Sequence, residues 1–379
     1  MKLLITGICG FVGSTLAKTI RAAHPDWEIV GIENFSRAGS WINKQSLLEL
    51  GVQLVVGDIR NASDLETLPA CDWVIDAAAN PSVLAGVDGK TSSRQLVEHN
   101  LQGTINLLEY CKNHQAGFIL LSTSRVYSIP GLVNLELEVV PGKGAGRYAP
   151  KTGQVFPDGL SPLGVSEQYS TLPPVSLYGS TKVASEHLAL EYGSTFDFPV
   201  WINRCGVMAG AGQFGHPAQG IFAFWIHAFR EGRPLKYIGF DGLGHQVRDC
   251  LHPRDLVPIF EQQFNGGPRE TKNMKPETSN IVNLSGGLAN SMSLSELTAW
   301  CRQRFPNSAT AGSLPKPDAF PPSAVSQEVR PFDIGWMILD PTLAFKAWNW
   351  RPQSPFLGVC EEIAAFAETQ ANWLGVTIG

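Results

Sequence analysis

Three side chains in this 379-residue chain have the types to move a proton and hold an oxyanion. Tyr178 and Lys182 stand four residues apart in Leu177-Tyr178-Gly179-Ser180-Thr181-Lys182, which reads as the start of a helix running to about residue 193. That spacing puts both on one helical face. A cation beside a phenol favours the phenolate and draws its pKa down from about 10. Such a phenol can take the proton of a carbinol. Thr123 ends the apolar run Phe118–Leu121 in Leu121-Ser122-Thr123-Ser124-Arg125-Val126-Tyr127. Its hydroxyl would hydrogen-bond the reacting oxygen and share its developing charge. Ser122 and Ser124 read as satisfying backbone groups.

A proton abstractor of this kind needs a hydride acceptor, and the N-terminus supplies a place for one. Leu3-Leu4-Ile5-Thr6 runs into Gly7, Gly10 and Gly13 at the spacing G-x-x-G-x-x-G, followed at once by a helical pattern. Gly7 makes the tight turn, Gly10 lets a pyrophosphate approach the main chain, and Gly13 lets helix and strand pack closely. Phe11, Val12 and Gly13 open the helix, whose first N–H groups face the anion. Glu28–Ile32 reads as a second strand closed by Glu33, an acid about 20 residues after the glycines. Such an acid binds ribose hydroxyls and repels a ribose phosphate, which favours NAD. Arg37 nearby could accept that phosphate and pulls the other way. Asn34 and Ser36 share this segment.

The elements that must position these groups follow in order. Strands are expected at Val52–Asp58, Trp73–Pro81, Phe118–Ser122 and Pro199–Arg204, with helices at 11–23 and 93–113. Strands alternating with helices imply an α/β fold, a Rossmann-type doubly wound parallel sheet. Ligands in such sheets lie beyond the C-terminal strand ends. Gly7, Glu33, Asp58 with Ile59, Ala77, Ala78, Ala79 and Thr123 should therefore converge on one crevice. Residues 128–175 break the rhythm with seven Gly and seven Pro. They read either as part of the substrate-side wall or as a surface insertion. Beyond residue 205 the pattern is mixed: a helix near 219–231, a strand near Ile281–Leu284, and a capping box Ser293-Leu294-Ser295-Glu296 opening a helix to about 304. A last helical pattern lies near 356–373. We expect a dinucleotide-binding core over 1–175, the catalytic helix and sixth strand over 176–205, and a smaller mixed C-terminal substrate domain over 206–379 that interleaves with the core.

Composition narrows the function classes. Net charge is −5 and no basic stripe argues for nucleic acid or an anionic membrane surface. No run approaches the ~18 apolar residues of a membrane span. Seven scattered cysteines without a CxxC pair fit core thiols in a reducing cytoplasm. His245 and His252 lack the helical spacing and third ligand of a metal site. Trp348 and Trp350 read as core. Arg204, Arg248 and Arg330 are candidates for a substrate diphosphate, since a planar guanidinium matches phosphate oxygens; the alternative for each is a surface ion pair.

Thr6–Gly13, the S-T-x-x-V-Y pattern at 122–127 and Tyr178/Lys182 resemble the extended short-chain dehydrogenase/reductases, NAD(P)-dependent epimerases and dehydratases of nucleotide sugars. Asn34-Phe35-Ser36-Arg37, Asp58-Ile59-Arg60-Asn61, Asn100–Glu109, Gln246–His252, Asn290–Leu297 and Arg330-x-x-Asp333 look most like those of CDP-paratose (CDP-tyvelose) 2-epimerases. The resemblance implies NAD as cofactor, Lys182 on its ribose, Asn100 among the cofactor residues, and Arg248, Arg330 and Asp333 toward a nucleotide-diphosphate sugar; Asn203 and Arg204, at the end of the sixth strand, are further substrate candidates. It also implies a homodimer. Departures exist: Asp76 replaces a His found in many members, and Asn203-Arg204-Cys205-Gly206 differs from the usual run. Related 4,6-dehydratases carry Asp-Glu after the catalytic Thr; Ser124-Arg125 here cannot supply that elimination. The resemblance therefore implies a 2-epimerase of a CDP-hexose, with a UDP-sugar 4-epimerase or a net reductase as competing activities. A non-catalytic NAD(H) sensor would not need the intact Thr123/Tyr178/Lys182 set.

Overall fold

The computed structural model describes residues 1–87, 89, 92–216, 219–267, 280–312, 314 and 332–378. Seven strands form one parallel sheet and are numbered along the chain: β1 Lys2–Thr6, β2 Glu28–Glu33, β3 Gln53–Val56, β4 Trp73–Asp76, β5 Gly117–Thr123, β6 Val200–Cys205 and β7 Ile281–Leu284. Their spatial order is β7-β6-β5-β4-β1-β2-β3. The order reverses beside β1, so a crevice opens at the glycine turn.

Both faces of the sheet are buried, which is why its strands are runs of Leu, Ile and Val without alternation. On one face Leu3, Ile5 and Ile119 pack against Leu16, Ala17 and Ile20 of the first helix, Phe11–Ala23, and against Ile259 and Phe260. Trp348 and Trp350 lie in this core. On the other face Leu4, Val74, Phe118 and Ile202 pack against Leu107, Leu108 and Ala189 from the helices Gly103–His114 and Ser176–Phe196. The expected helix over 93–113 is three pieces: an α-helical segment Ser93–Val97, one π turn Glu98–Gln102, and Gly103–His114.

The C-terminal part interleaves with this core. β7 completes the main sheet beside β6, in register Ile202 to Ile281 through Cys205 to Leu284. A separate small sheet joins Val207–Met208, Val247–Leu251 and Ser291–Ser293, with Trp336–Met337 paired to the middle strand. Its cover is a second core around Phe222, Trp225 and Phe229 against Val359, Cys360 and Ile363. The capping box holds: Ser293 Oγ accepts the Glu296 N–H and Glu296 accepts the Ser293 N–H, opening the helix Leu294–Arg304. All seven cysteines are free and buried. No helix among the described residues is long and apolar enough to cross a membrane.

Residues 128–175 are neither a wall of the central cavity nor a loose insertion. They fold into a short helix, Ile129–Val133, and two antiparallel hairpins, Leu137–Pro141 with Gly146–Pro150 and Leu160–Ser161 with Gly164–Val165. Leu132, Leu135, Leu160, Val165 and Tyr169 pack on Val247 and Ile334–Leu339. The segment props the C-terminal part from behind and lines none of the central cavity.

Candidate active site

One cavity of about 1000 Å³ runs along the C-terminal strand ends. The glycine turn forms its floor. Gly7 has φ +59, a conformation open to glycine, and a Cβ on Gly13 would sit 2.4 Å from the Gly7 carbonyl oxygen. The Gly10 N–H donates to Gly7 O at 2.9 Å, closing the turn. No side chain caps the first helix, so its N-terminal N–H groups remain free for an anion. Phe11 and Val12 line the cavity with the three glycines. This is a cradle in which the pyrophosphate of a dinucleotide fits.

The adenosine side is equally formed. Glu33, Asn34, Ser36, Arg37, Asp58 and Ile59 all line the cavity. Glu33 accepts the backbone N–H groups of Cys9 at 3.1 Å and Phe35 at 2.8 Å. Burial pushes its carboxyl up, and those N–H groups pull it back. Burial also works to raise Asp58, but hydrogen bonds from Arg60 and Asn34 outweigh it and hold the carboxyl down at about 2. Arg37 is turned aside: its guanidinium donates to Phe214 O and to Gln219 Oε1, both at 3.2 Å. The acid thus faces the ribose position while the cation is occupied. Replacing Glu33 by Ser should shift the preference from NAD toward NADP by about tenfold, read as the ratio of the two affinities in calorimetric titrations.

At the other end Thr123 and Tyr178 meet. Ala77, Ala78 and Ala79 line the cavity between the two ends. Thr6 Oγ1 accepts the Ala77 and Ala78 N–H groups at 3.0 and 2.9 Å and donates to Asp76 at 2.8 Å. Thr104 also donates to Asp76, at 3.1 Å. Asp76 is fully buried, and burial raises its carboxyl against the pull of Lys182. Lys182 is buried as well. Burial lowers its pKa, and Asp76 and Glu186 oppose that. The Tyr178 phenol behaves otherwise than its spacing from Lys182 suggests. Burial pushes it up to about 12, opposed by the Thr123 hydroxyl and the charge of Arg125.

Asn100 lies beneath the cavity instead of on its wall. Its amide accepts the Asn80 N–H at 2.8 Å and donates to Asn80 O at 3.1 Å and Thr181 Oγ1 at 3.2 Å, tying a strand end to the catalytic helix. Two substrate candidates are also corrected. Asn203 is wholly buried in a reciprocal amide pair with Gln263, at 3.0 and 2.8 Å. Arg204 points to the opposite face of the sheet and clasps Glu186, Nη2 to Oε2 at 2.6 Å and Nε to Oε1 at 3.1 Å. Neither lines the cavity. Arg248 and Asp333 do, joined by a 2.9 Å ion pair that is largely buried. Arg330 lies outside the described residues. The wall also holds Arg125, Lys236 and Gln246, which residue type alone did not single out as substrate contacts. Arg125 could have been found by its place two residues after Thr123.

Lys182 lies one helical turn past Tyr178, buried and off the cavity lining. A cavity leading from a dinucleotide cradle to a Thr–Tyr pair, with a buried Lys on the same helix, is the layout of a short-chain dehydrogenase/reductase. The chain belongs, more closely, to the NAD dependent epimerase/dehydratase family, whose model matches residues 3–262. It is 30% identical to CDP-paratose 2-epimerase of Salmonella typhi over 305 residues, 78% of this chain and 82% of that one. It is 27% identical to UDP-glucuronate 4-epimerase 1 of Arabidopsis thaliana over 266 residues, 68% of this chain and 53% of that one. Its fold is similar to a UDP-glucuronic acid 4-epimerase from Bacillus cereus solved with UDP-glucuronic acid and NAD: TM-score 0.71, 23% identity, 97% of this chain and 99% of that one. The cofactor is NAD, and Glu33 and the glycine turn fit it.

Proposed function

We propose that the protein is a redox-neutral nucleotide-sugar epimerase acting at carbon 2 of a CDP-hexose. The observation that carries this is the single cavity holding the NAD cradle, the Thr123–Tyr178 pair and the Arg248–Asp333 pair. The 30% identity to a CDP-paratose 2-epimerase supports the carbon and the nucleotide. Bound NAD supplies a hydride acceptor that can return the hydride to the same carbon. Tyr178 takes the hydroxyl proton and later gives it back. Thr123 donates a hydrogen bond to the sugar oxygen as charge builds on it. Lys182, one helical turn past Tyr178 and near the Asp76 and Glu186 charges, would supply a positive charge toward the cofactor ribose. Arg248 faces the diphosphate. Ser124 and Arg125 offer no acid–base pair after Thr123, which favours epimerisation over dehydration.

Free, buried thiols and the resemblance to extended members that pair through helices support a homodimer in a reducing cytoplasm. The test is to denature the purified protein, identify the released nucleotide by mass and absorbance, and incubate fresh protein with CDP- and UDP-hexoses without added cofactor. Stoichiometric NAD and conversion of a CDP-hexose to its 2-epimer, with no net NADH, are expected. Turnover of a UDP-sugar at carbon 4 would favour the competing 4-epimerase, and consumption of added NAD(P)H would make the protein a reductase.

A further inference from the structure

Arg125 is a charged group whose field acts on Tyr178 beside Thr123. Thr123 Oγ1 accepts the Arg125 N–H at 3.2 Å, opening the helical turn Ser124–Val126. A Cβ on Gly179 would lie 2.3 Å from the Arg125 carbonyl oxygen, so this turn is packed directly on the catalytic helix one residue past Tyr178. Arg125 lines the same cavity as Tyr178. Its Nη1 donates to Phe332 O at 3.2 Å, its one hydrogen bond among the described residues. No carboxylate among them lies within 4.0 Å of it; Asp333, the acid in its vicinity, is already held by Arg248 at 2.9 Å. Among the described residues two guanidinium groups therefore share one carboxylate on this wall. Burial and the Arg248 charge lower Arg125 to about 10, so it stays cationic at neutral pH. A cation sunk in a wall without its own counterion is completed by an anion from the ligand.

The position of that anion carries information. In a nucleotide-diphosphate sugar the β-phosphorus is three bonds from carbon 2 and five bonds from carbon 4, across the ring. With Tyr178 at the reacting hydroxyl, a cation on the flank of the phenol reaches the β-phosphate when the reacting carbon neighbours the anomeric carbon. A 4-epimerisation would turn the diphosphate away from it. We infer that Arg125 clamps the β-phosphate of the substrate beside the reacting carbon and so selects carbon 2. This rests on the reading of the substrate as a nucleotide-diphosphate sugar.

The test is calorimetric titration of the NAD-loaded protein with CDP, UDP, CMP and UMP, for the wild type, Arg125→Met and Arg125→Lys. Retained NAD and an unchanged unfolding midpoint confirm that each variant is folded. Arg125→Met should lose about tenfold or more in affinity for the better-bound diphosphate, and Arg125→Lys should recover part of it. Monophosphate affinity should stay within about twofold, since a monophosphate lacks the phosphate in question. Equal losses for di- and monophosphates would make Arg125 a prop for Phe332 and overturn the clamp. No change for either would overturn it too, leaving the cation to a sugar carboxylate. A wild type that binds neither class would overturn the substrate reading along with it.

Discussion

Tyr178→Phe is expected to bind NAD and the nucleotide sugar as the wild type does and to turn over about 10²–10⁴-fold more slowly. The phenol oxygen is the proton acceptor at the carbinol, and its removal leaves the cradle and the Arg248–Asp333 pair untouched. The pH dependence carries the sign. Burial holds the phenol at about 12, while Thr123 and Arg125 draw it down. A base is active in its deprotonated form, so kcat should rise about tenfold per pH unit below the apparent pKa and level off above it. The positive charge of oxidised cofactor would move that limb toward neutrality. In Tyr178→Phe the residual rate should lose this slope. A variant that kept full turnover would exclude Tyr178 as the base.

Arg204→Met is expected to cost about 3–5 kcal/mol of stability, because it strands Glu186 as a buried carboxylate. The pair is almost wholly inaccessible, with side chains 5% and 1% exposed. It also anchors a wider network. Ser122 donates to Glu186, Arg204 reaches the Tyr127 hydroxyl at 3.3 Å, and Tyr127 donates to Asn283 Oδ1 at 2.6 Å. The Asn283 N–H donates to Glu167 at 2.6 Å, and burial pushes the Glu167 carboxyl up to about 7. The network joins β5, β6 and β7 to the catalytic helix and to the 128–175 segment. Denaturant titration should show the midpoint fall, while diphosphate affinity at a temperature where the variant is folded stays unchanged. A loss of diphosphate affinity at full stability would return Arg204 to the substrate site. Replacing Glu186 by Met as well should recover part of the stability, since a buried pair is costly chiefly when broken.

This contrast marks how far residue types and spacing reach. The parallel sheet and the glycine cradle are legible because their signals are local: apolar strands, three glycines, an acid at a strand end. Arg248 and Asp333, 85 residues apart in the chain, meet on the cavity wall, a pairing that spacing does not announce. Asn203 and Arg204 mislead for a physical reason. Both faces of β6 are covered by helices, so no alternation tells which side chain faces which layer. Their partners, Gln263 and Glu186, become visible when the helices are placed. Residues 128–175 misled likewise, since Leu132, Leu160 and Tyr169 find their apolar partners at 334–339, far along the chain. The Tyr–Lys spacing, for its part, suggests a cation beside the phenol, but the charge that acts on it is that of Arg125, and desolvation outweighs it.

The central claim is that a sugar carbinol is oxidised and re-reduced at one carbon. The measurement that bears on it most directly is turnover of CDP-hexose labelled with deuterium at carbon 2, in ordinary water, with the product analysed by mass and NMR. The account predicts the 2-epimer with the deuterium retained at carbon 2, because the same hydride leaves and returns. Deuterium lost to water, or a product epimerised at another carbon, would contradict it.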